Sequence, residues 1–222
     1  MAIKRSVIFV LIITLAGAMF SGCAVLSGSG GSNPKILLCV GDSITEGVGV
    51  ADAGTSSYPA VLSKKMGSRY QVLNYGVAGS TVLESDNAYT ATTQYYHALN
   101  SGASIVVIAL GTNDCRTTVW DAEAFETAYH AIVYEVYHAK ADADIYLVLP
   151  PAIGITEYNY SNDILKNEMI PIIQKVADEF GFETIDVYSA FEGKDELYAD
   201  GLHPNEEGAK LIAEMVQAAI KE

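Results

Sequence analysis

The stretch KILLCVGDSITEG, residues 35–47, decides the fold, because a short apolar run ends abruptly in a glycine, an acid and a hydroxyl. Ile36–Val40 has the length of a single β-strand. Its unbroken apolar character is typical of a parallel strand that is covered on both faces, and not of a strand with one face in water. The sequence therefore predicts that Gly41, Asp42 and Ser43 lie where a buried strand ends.

Four more apolar runs of strand length follow, and helical patterns separate them. The further predicted strands are Val72–Tyr75, Ile105–Leu110, Ile145–Leu149 and Thr184–Val187. The predicted helices are Pro59–Met66, a poorly defined one near Thr90–Asn100, Ala122–Ala139, Ile164–Phe180 and a last helix capped by Asn205. We expect a kink or break near Ile170, because Pro171 follows it. The alternation predicts an α/β fold: a three-layer α/β/α sandwich around a five-stranded parallel, flavodoxin-like sheet.

The first 22 residues have the pattern of an export signal rather than of a folded segment. Two basic residues precede Val7–Met19, which is almost wholly apolar but short for a membrane span. The residues that lead to Cys23 resemble a bacterial lipobox, although Phe20 stands where that motif usually has leucine. We predict a lipoprotein-type signal peptide over residues 1–22 and acylation of Cys23, with ordinary signal cleavage as the alternative.

We expect residues 23–33, rich in glycine and serine, to form a lipid-anchored tether and residues 34–222 to form one domain. The protein would then be exported and held at the cell surface or in the periplasm, touching the membrane only through its lipid. Removal of residues 1–22 takes away two of the 13 basic residues and none of the 27 acidic ones, so the formal charge changes from −14 to −16. Such acidity argues against nucleic acid as a partner.

The three cysteines do not suggest a metal site, because no CxxC motif or Cys/His cluster is present. Cys39 lies in an apolar strand and Cys115 in a predicted loop. We expect both to be thiols, with a disulfide between them as the alternative.

Polar and small residues follow the predicted strands, and the carboxyl ends of parallel strands share one edge of a sheet. The first strand is followed by Ser43, the second by a loop with Gly79, and the third by a loop with Asn113. Asp200 and His203 follow the fifth strand after a long loop. A nucleophile, donors for an oxyanion and a base held by an acid are the parts that acyl transfer requires.

Of the four histidines, His203 alone has an acid at a useful spacing in a turn. Asp200 precedes it by three residues and can accept the Nδ1–H of the imidazole, which leaves Nε2 to take a hydroxyl proton. Pro204 keeps His203 extended. The remaining histidines lie in predicted helical or polar stretches: His97, His130 and His138.

Each of these residues also has a structural interpretation. Ser43 can be the N-cap of the helix after the first strand, or part of a phosphate cradle, since Gly47 and Gly49 follow. The cradle is poorly supported, because the stretch has no Gly-Lys-Ser/Thr motif, and in the catalytic interpretation the two glycines leave room for an ester. Asn113 can close its loop as an Asx-turn, and Gly79 can be a plain turn glycine.

Four blocks, taken together and in this order, resemble the SGNH hydrolases, also called GDSL-type lipases and acylhydrolases. The blocks are GDSITEG, NYGVAGST, LGTND and DGLHPN, which begin at residues 41, 74, 110 and 200. The resemblance covers nearly the whole of residues 34–222, and its small departure is Ile44 in place of the family's leucine. It implies an ester hydrolase that uses no metal or organic cofactor.

The resemblance also implies a role for each matching residue. Ser43 would be the nucleophile, His203 the general base and then the acid, and Asp200 the residue that orients His203. Some family members tolerate loss of this aspartate. The oxyanion would be held by the backbone N–H groups of Ser43 and Gly79 and by the side-chain amide of Asn113.

Other stretches look like a subgroup of bacterial acetylesterases that act on carbohydrates, including sialate and xylan types. We therefore expect the substrate to be a short acyl ester, chiefly an acetyl ester, of a small molecule or a polysaccharide. Trp120, Tyr158 and Tyr160 can bind such a substrate or merely cover the core, and Asp42 can line the pocket or serve the fold. The alternatives are a lysophospholipase or acyl-thioesterase of the same family, a surface carbohydrate-binding lipoprotein without turnover, and a flavodoxin-like nucleotide binder.

Overall fold

A central parallel sheet, wrapped by helices, positions the loops that carry the predicted site. The computed structural model describes residues 33–154 and 159–220. The strands are β1 (Lys35–Gly41), β2 (Tyr70–Gly76), β3 (Ala103–Ala109), β4 (Asp144–Leu149) and β5 (Glu183–Asp186). The α-helices are α1 (Ser43–Glu46), α2 (Ala53–Ser56), α3 (Tyr58–Met66), α4 (Thr93–Asn100), α5 (Ala122–Ala139), α6 (Asn162–Ile164), α7 (Ile170–Phe180), α8 (Val187–Phe191) and α9 (Glu206–Ala219).

The five strands are all parallel and lie in the order β2-β1-β3-β4-β5. In β1, Leu38 pairs with Leu73 of β2 on one side and with Val106 of β3 on the other. Leu37–Val40 is at most 1% exposed. Each large apolar side chain buried there contributes about 1.5–3 kcal/mol relative to an exposed one. The continuous apolar run of the first strand is therefore explained by burial on both faces.

Two groups of helices cover the two faces of the sheet. α3 packs against α9, and α5 packs against both α4 and α7. The chain moves along the sheet in one direction from β1 to β2 and in the opposite direction from β2 to β5. Because each connection is right-handed, the helices of the first connection and those of the later connections lie on opposite faces of the sheet. The predicted three-layer sandwich with a flavodoxin-like strand order is confirmed.

The element boundaries follow the sequence pattern closely. Ala122–Ala139 is helical over the whole predicted range, and the poorly defined stretch near Thr90–Asn100 is a 3₁₀ turn at Tyr89–Ala91 followed by α4. The fifth strand ends one residue early, because the Asp186 carboxylate accepts the Ser189 N–H and starts α8.

Pro171 does not break the helix near Ile170. A π-helical turn, Leu165–Met169, joins α6 to α7 without an interruption, and Pro171 lies in the first turn of α7. The wider turn accommodates a residue that lacks an N–H donor and whose ring crowds the carbonyl four residues earlier. The predicted irregularity is present, but it is a change of helix type and not a break.

The predicted signal peptide, Cys23 and all of the tether except Asn33 lie outside the described residues. Over residues 33–154 and 159–220, no helix combines the length and the apolar character needed to cross a membrane. Cys39 and Cys115 are buried thiols, as expected, and form no disulfide.

Candidate active site

The strand order places three of the predicted site residues side by side. β1 lies between β2 and β3, so the loops after β2 and β3 flank the residue that follows β1. Ser43 begins α1 directly after β1, Gly79 follows the end of β2, and Asn113 lies in a 3₁₀ turn after β3. The direction of strand succession reverses here, which is where open α/β sheets have their crevice.

Two hydrogen bonds join Ser43 to Asp200 through His203. The Nε2 of His203 lies 3.0 Å from the Ser43 Oγ, and its Nδ1 lies 2.7 Å from the Asp200 Oδ2. An ionised carboxylate can only accept hydrogen bonds, so Nδ1 carries the proton and Nε2 is left to accept one from the serine hydroxyl. Ser43 is 7% exposed and the His203 side chain 15%, so bulk water competes little for this contact.

Asp200 also shapes the backbone that carries His203. Its Oδ1 accepts the N–H of Leu202 at 3.0 Å and the N–H of His203 at 2.7 Å. Partial burial acts to raise the pKa of Asp200, but these N–H groups and the His203 ring outweigh it and hold the pKa below its usual value. Asp200 is therefore ionised throughout the neutral range.

Gly49 lies against the histidine loop. A Cβ at this position would be 2.8 Å from the His203 Cβ and 2.6 Å from the Pro204 carbonyl oxygen, and the φ angle of Gly49 is +100°. Close approach and left-handed backbone both require glycine here. The space beside Gly47 is likewise filled by protein atoms. The expectation that these two glycines leave room for an ester is therefore corrected: they let the chain after α1 pack closely against α2 and the histidine loop.

The loop after β2 presents the Gly79 N–H, which has no hydrogen-bond partner in the part of the chain that the structure describes. The amides on either side of it are both engaged. The Ala78 N–H donates to the Glu46 carboxylate at 2.6 Å, and the Ser80 N–H donates to the Val77 carbonyl at 3.2 Å. Gly79 itself has a φ angle of +78°, which favours glycine. The loop thus fixes a backbone donor at the edge of the crevice.

The side-chain amide of Asn113 is held from both ends. Its Nδ2 donates to the Ser80 carbonyl at 2.9 Å, and its Oδ1 accepts from the Tyr160 hydroxyl at 3.1 Å. Because the amide nitrogen has two N–H bonds, a second donor remains after the bond to Ser80. Asn113 is 4% exposed, and in such a low-dielectric position a hydrogen bond to a charged oxygen is strong.

Two buried carboxyl groups lie behind these donors. Asp42 caps α1 by accepting the Ile44 N–H at 2.9 Å, and Asp114 accepts the N–H groups of Val82 and Leu83 at 2.8–3.1 Å. Burial raises the pKa of Asp42 to about 6 and the pKa of Asp114 to about 7, in both cases against the lowering effect of these N–H groups. Asp42 thus has a structural role at the start of α1, and its contact with a substrate stays a prediction.

The aromatic residues that were expected to bind substrate have protein partners where the structure describes them. The Trp120 Nε1 donates to the Glu168 carboxylate at 2.7 Å, and its ring centre lies 5.1 Å from that of Phe125. The Tyr160 hydroxyl is the donor to the amide described above. Tyr158 lies outside the described residues. Contact of these residues with a substrate stays a prediction.

Sequence reasoning did not assign a role to Glu46 or to Asp114, yet both hold the loop that carries Gly79. The available signal was weak: each acid stands within three residues of a predicted site residue, Ser43 or Asn113. Which backbone N–H groups an acid binds is decided by the placement of β2 beside β1, and this is not visible in the sequence.

The arrangement suits attack on a carbonyl carbon. It combines a hydroxyl whose proton can pass to an imidazole with N–H donors from two neighbouring loops. Within the described ranges, no group of three or more His, Cys, Asp or Glu side chains could hold a metal ion.

The chain is similar to known proteins over most of its length. Residues 39–211 match the model of the GDSL-like Lipase/Acylhydrolase family. An acetylxylan esterase of Xylanibacter ruminicola is 34% identical over 205 residues; the match takes in 83% of this chain but 43% of that protein. This chain thus spans less than half the length of that relative.

Two solved structures with a similar fold are an acetyl xylan esterase and the lipase/acylhydrolase from Enterococcus faecalis. The first superimposes with a TM-score of 0.68 at 23% identity and covers 84% of this chain and 100% of that one. The second has a TM-score of 0.66 at 24% identity and covers 82% of this chain and 93% of that one. At this level of identity the structures support the fold. With the family model matching more than half of the sequence, the chain belongs to the GDSL-like lipase/acylhydrolase family.

Proposed function

We propose that the protein is a serine ester hydrolase that removes short acyl groups, chiefly acetyl, from carbohydrates. The observation that carries the proposal is the path of hydrogen bonds from the Ser43 Oγ through His203 to Asp200, with distances of 3.0 and 2.7 Å. A binding protein has no need for this path, because a serine proton has to move only when the hydroxyl attacks a substrate.

In the proposed mechanism the Ser43 Oγ attacks the ester carbonyl carbon while the His203 Nε2 takes the hydroxyl proton. The negative oxygen of the tetrahedral intermediate is held by the N–H groups of Ser43 and Gly79 and by the Asn113 amide. When the intermediate collapses, His203 returns the proton to the departing alcohol, and the acyl group stays on Ser43. Water, deprotonated by His203, then attacks the carbonyl carbon of the acyl-enzyme. His203 returns that proton to the Ser43 Oγ as the bond to the acyl group breaks, and the carboxylic acid leaves. Asp200 holds the imidazole in the required tautomer.

The acetyl-carbohydrate substrate is supported by the 34% identity to an acetylxylan esterase. A lysophospholipase or acyl-thioesterase activity is the second candidate, since the family includes lipases. A series of p-nitrophenyl esters separates the two. Activity that is highest for acetate and disappears by octanoate supports the first, whereas preference for octanoate overturns it.

The direct test is acetate release from a panel of acetylated sugars and polysaccharides, with Ser43→Ala as the control. Wild-type protein should release acetate, and Ser43→Ala should fall to background. Full activity in purified Ser43→Ala would refute the serine mechanism. A wild-type protein that binds these carbohydrates without releasing acetate would favour a binding lipoprotein instead.

We also propose that the protein is exported and acylated at Cys23, on the basis of the amino-terminal sequence pattern described above. Acylation predicts that the membrane-extracted protein begins at Cys23 and has the intact mass of a lipidated chain. Cys23→Ala should release the protein from the membrane. An unmodified amino terminus at another residue would indicate ordinary signal cleavage.

A further inference from the structure

A cleft with a mixed polar and apolar lining lies beside Asn113. It lies between the loop 81–87 and the first half of α5, and its volume is about 860 Å³. This is within the range of about 300–1,000 Å³ that is usual for small-molecule sites. Asn113 and Asp114, both buried, line its inner part, Arg116 is half-buried, and the acids of its walls are exposed. The cleft therefore runs from a proposed oxyanion donor outward to the surface.

The walls of the cleft carry carboxylates on both sides. Glu84 belongs to the loop 81–87, and Asp121 and Glu123 lie at the start of α5. Arg116 is the one basic residue among its described lining residues. It donates its Nε–H to the Asn113 carbonyl at 3.2 Å, so part of its guanidinium is already committed to the protein. Away from Arg116 the cleft is therefore negatively charged.

Small side chains of α5 form one side of the cleft. Ala124, Ala128 and Ala131 recur on one face of α5 and line the cleft together with Thr127. Small residues at this spacing leave a shallow surface along the helix. The Glu84 and Glu123 carboxylates can accept hydrogen bonds from hydroxyl groups, whereas the Asp121 carboxylate already accepts the Ala124 N–H at 3.0 Å. Leu83 and Val119 add two larger apolar side chains to the lining.

We propose that this cleft receives the alcohol part of the ester, and that its carboxylates select an uncharged polyhydroxylated acceptor, such as a neutral sugar, over an anionic one. The inference rests on the proposed ester hydrolysis. Sugar hydroxyls donate hydrogen bonds to the carboxylates, whereas an acidic sugar or a phospholipid headgroup places like charges within one narrow space.

The first experiment fills the cleft without touching Ser43, His203 or Asn113. Ala128→Phe should lower kcat/KM for an acetylated neutral xylo-oligosaccharide by about tenfold or more, because the acceptor loses its positioning. It should change kcat/KM for methyl acetate, whose alcohol is too small to reach the cleft, by less than about twofold. Ala124→Leu provides a second, milder obstruction should Ala128→Phe fold poorly.

Ala139→Phe is the matched control, since it makes the same change on the same helix at a residue that does not line the cleft. It should leave both substrates unaffected. Unchanged oligosaccharide activity in Ala128→Phe and Ala124→Leu overturns the proposal. Loss confined to esters with longer acyl chains also overturns it, because the cleft would then hold the acyl group.

The second experiment tests the charge. Wild-type protein should prefer an acetylated neutral sugar to the corresponding acetylated uronic acid by about tenfold in kcat/KM at low salt, and added salt should narrow the difference. The double variant Glu84→Gln/Glu123→Gln should also show a smaller ratio between the kcat/KM values for the two sugars. Asp178 is an exposed acid on α7 that lies outside the cleft, so Asp178→Asn should leave this ratio unchanged. Equal use of the two sugars by wild-type protein contradicts the selection.

The two levels of the proposal fail in different ways. If wild-type protein does not hydrolyse methyl acetate, or if Ser43→Ala hydrolyses it equally well, the proposed function is wrong. If hydrolysis of methyl acetate depends on Ser43 while the cleft variants behave like wild type on every acceptor, only the assignment of the cleft is wrong.

Discussion

The Tyr160 hydroxyl donates a hydrogen bond to the Asn113 amide oxygen at 3.1 Å, although 47 residues separate the two in the chain. Arg116 ties the pair together: its Nε–H donates to the Asn113 carbonyl, and its guanidinium carbon lies 5.3 Å from the centre of the Tyr160 ring. If the amide were turned over, its oxygen would face the Ser80 carbonyl, and two acceptors would meet without a hydrogen between them. The contacts therefore favour one orientation, in which Nδ2 supplies the donors.

Loss of the Tyr160 hydroxyl should weaken catalysis without weakening substrate binding. We expect Tyr160→Phe to lower kcat by about 3- to 10-fold, which corresponds to the roughly 0.5–1.5 kcal/mol of a neutral hydrogen bond. KM for methyl acetate should stay nearly constant, because the amide acts on the intermediate. Steady-state kinetics on the purified variant measure both quantities.

A double-mutant cycle distinguishes orientation of Asn113 from a general structural effect. Asn113→Ala alone should lower kcat by about 100- to 1,000-fold, as is typical for the loss of one oxyanion donor. Adding Tyr160→Phe to that variant should then cost nothing more. If the two losses multiply, Tyr160 does not act through Asn113.

Asp200→Asn should impair turnover far more than folding. The asparagine oxygen can still accept the Leu202 and His203 backbone N–H groups, but its NH₂ group would face Nδ1 and favour the wrong imidazole tautomer. We expect kcat to fall by about 10²- to 10⁴-fold, the upper limit being the loss seen for the equivalent change in a serine protease. Thermal unfolding should change little. Near-normal kcat would mean that the acid is dispensable, as it is in some family members.

Glu46 offers a test of how the Gly79 loop is positioned. Glu46→Ala removes the acceptor of the Ala78 N–H and should lower kcat by about 3- to 10-fold, because the neighbouring Gly79 N–H loses its fixed direction. Glu46→Gln keeps an acceptor oxygen and should recover much of the loss. Equal loss in both variants would indicate that the charge of Glu46 matters rather than its hydrogen bond.

The buried Asp114 should make the protein less stable as pH rises. Its pKa is raised from about 4 in the unfolded chain to about 7 in the fold, so the folded state binds the extra proton between these values. The contribution of Asp114 to the free energy of unfolding is therefore greatest below about pH 4, and it declines as the pH rises to about 7. Asp42, whose pKa is raised to about 6, should likewise lower the stability of the fold as the pH rises to that value.

Urea unfolding at a series of pH values measures this effect. The midpoint of Asp114→Asn should depend less on pH than that of the wild type between about pH 4 and pH 8. At low pH the variant should be about as stable as the wild type, because a neutral carboxyl group and an amide can both accept the Val82 and Leu83 N–H groups through one carbonyl oxygen. Parallel pH profiles would show that Asp114 does not titrate in this range.

The strands, the long helices and the residues Ser43, His203 and Asp200 were predictable for local reasons. Ile36–Val40 is apolar at every position because β1 is covered on both sides, and that pattern is written in the residues themselves. The π-helical turn before Pro171 was not predicted, because a proline signals that regular α-helix is disturbed without saying how the chain accommodates it.

The sequence by itself determined the order of strands and helices along the chain and the chemical groups that follow each strand, since both depend on local pattern and residue type. The tertiary structure alone decided which backbone groups Glu46 and Asp114 bind, that Gly49 packs against His203, and that the Tyr160 hydroxyl donates to Asn113. These contacts join residues brought together by the placement of β1 between β2 and β3, and no local pattern records a partner that is distant in the chain.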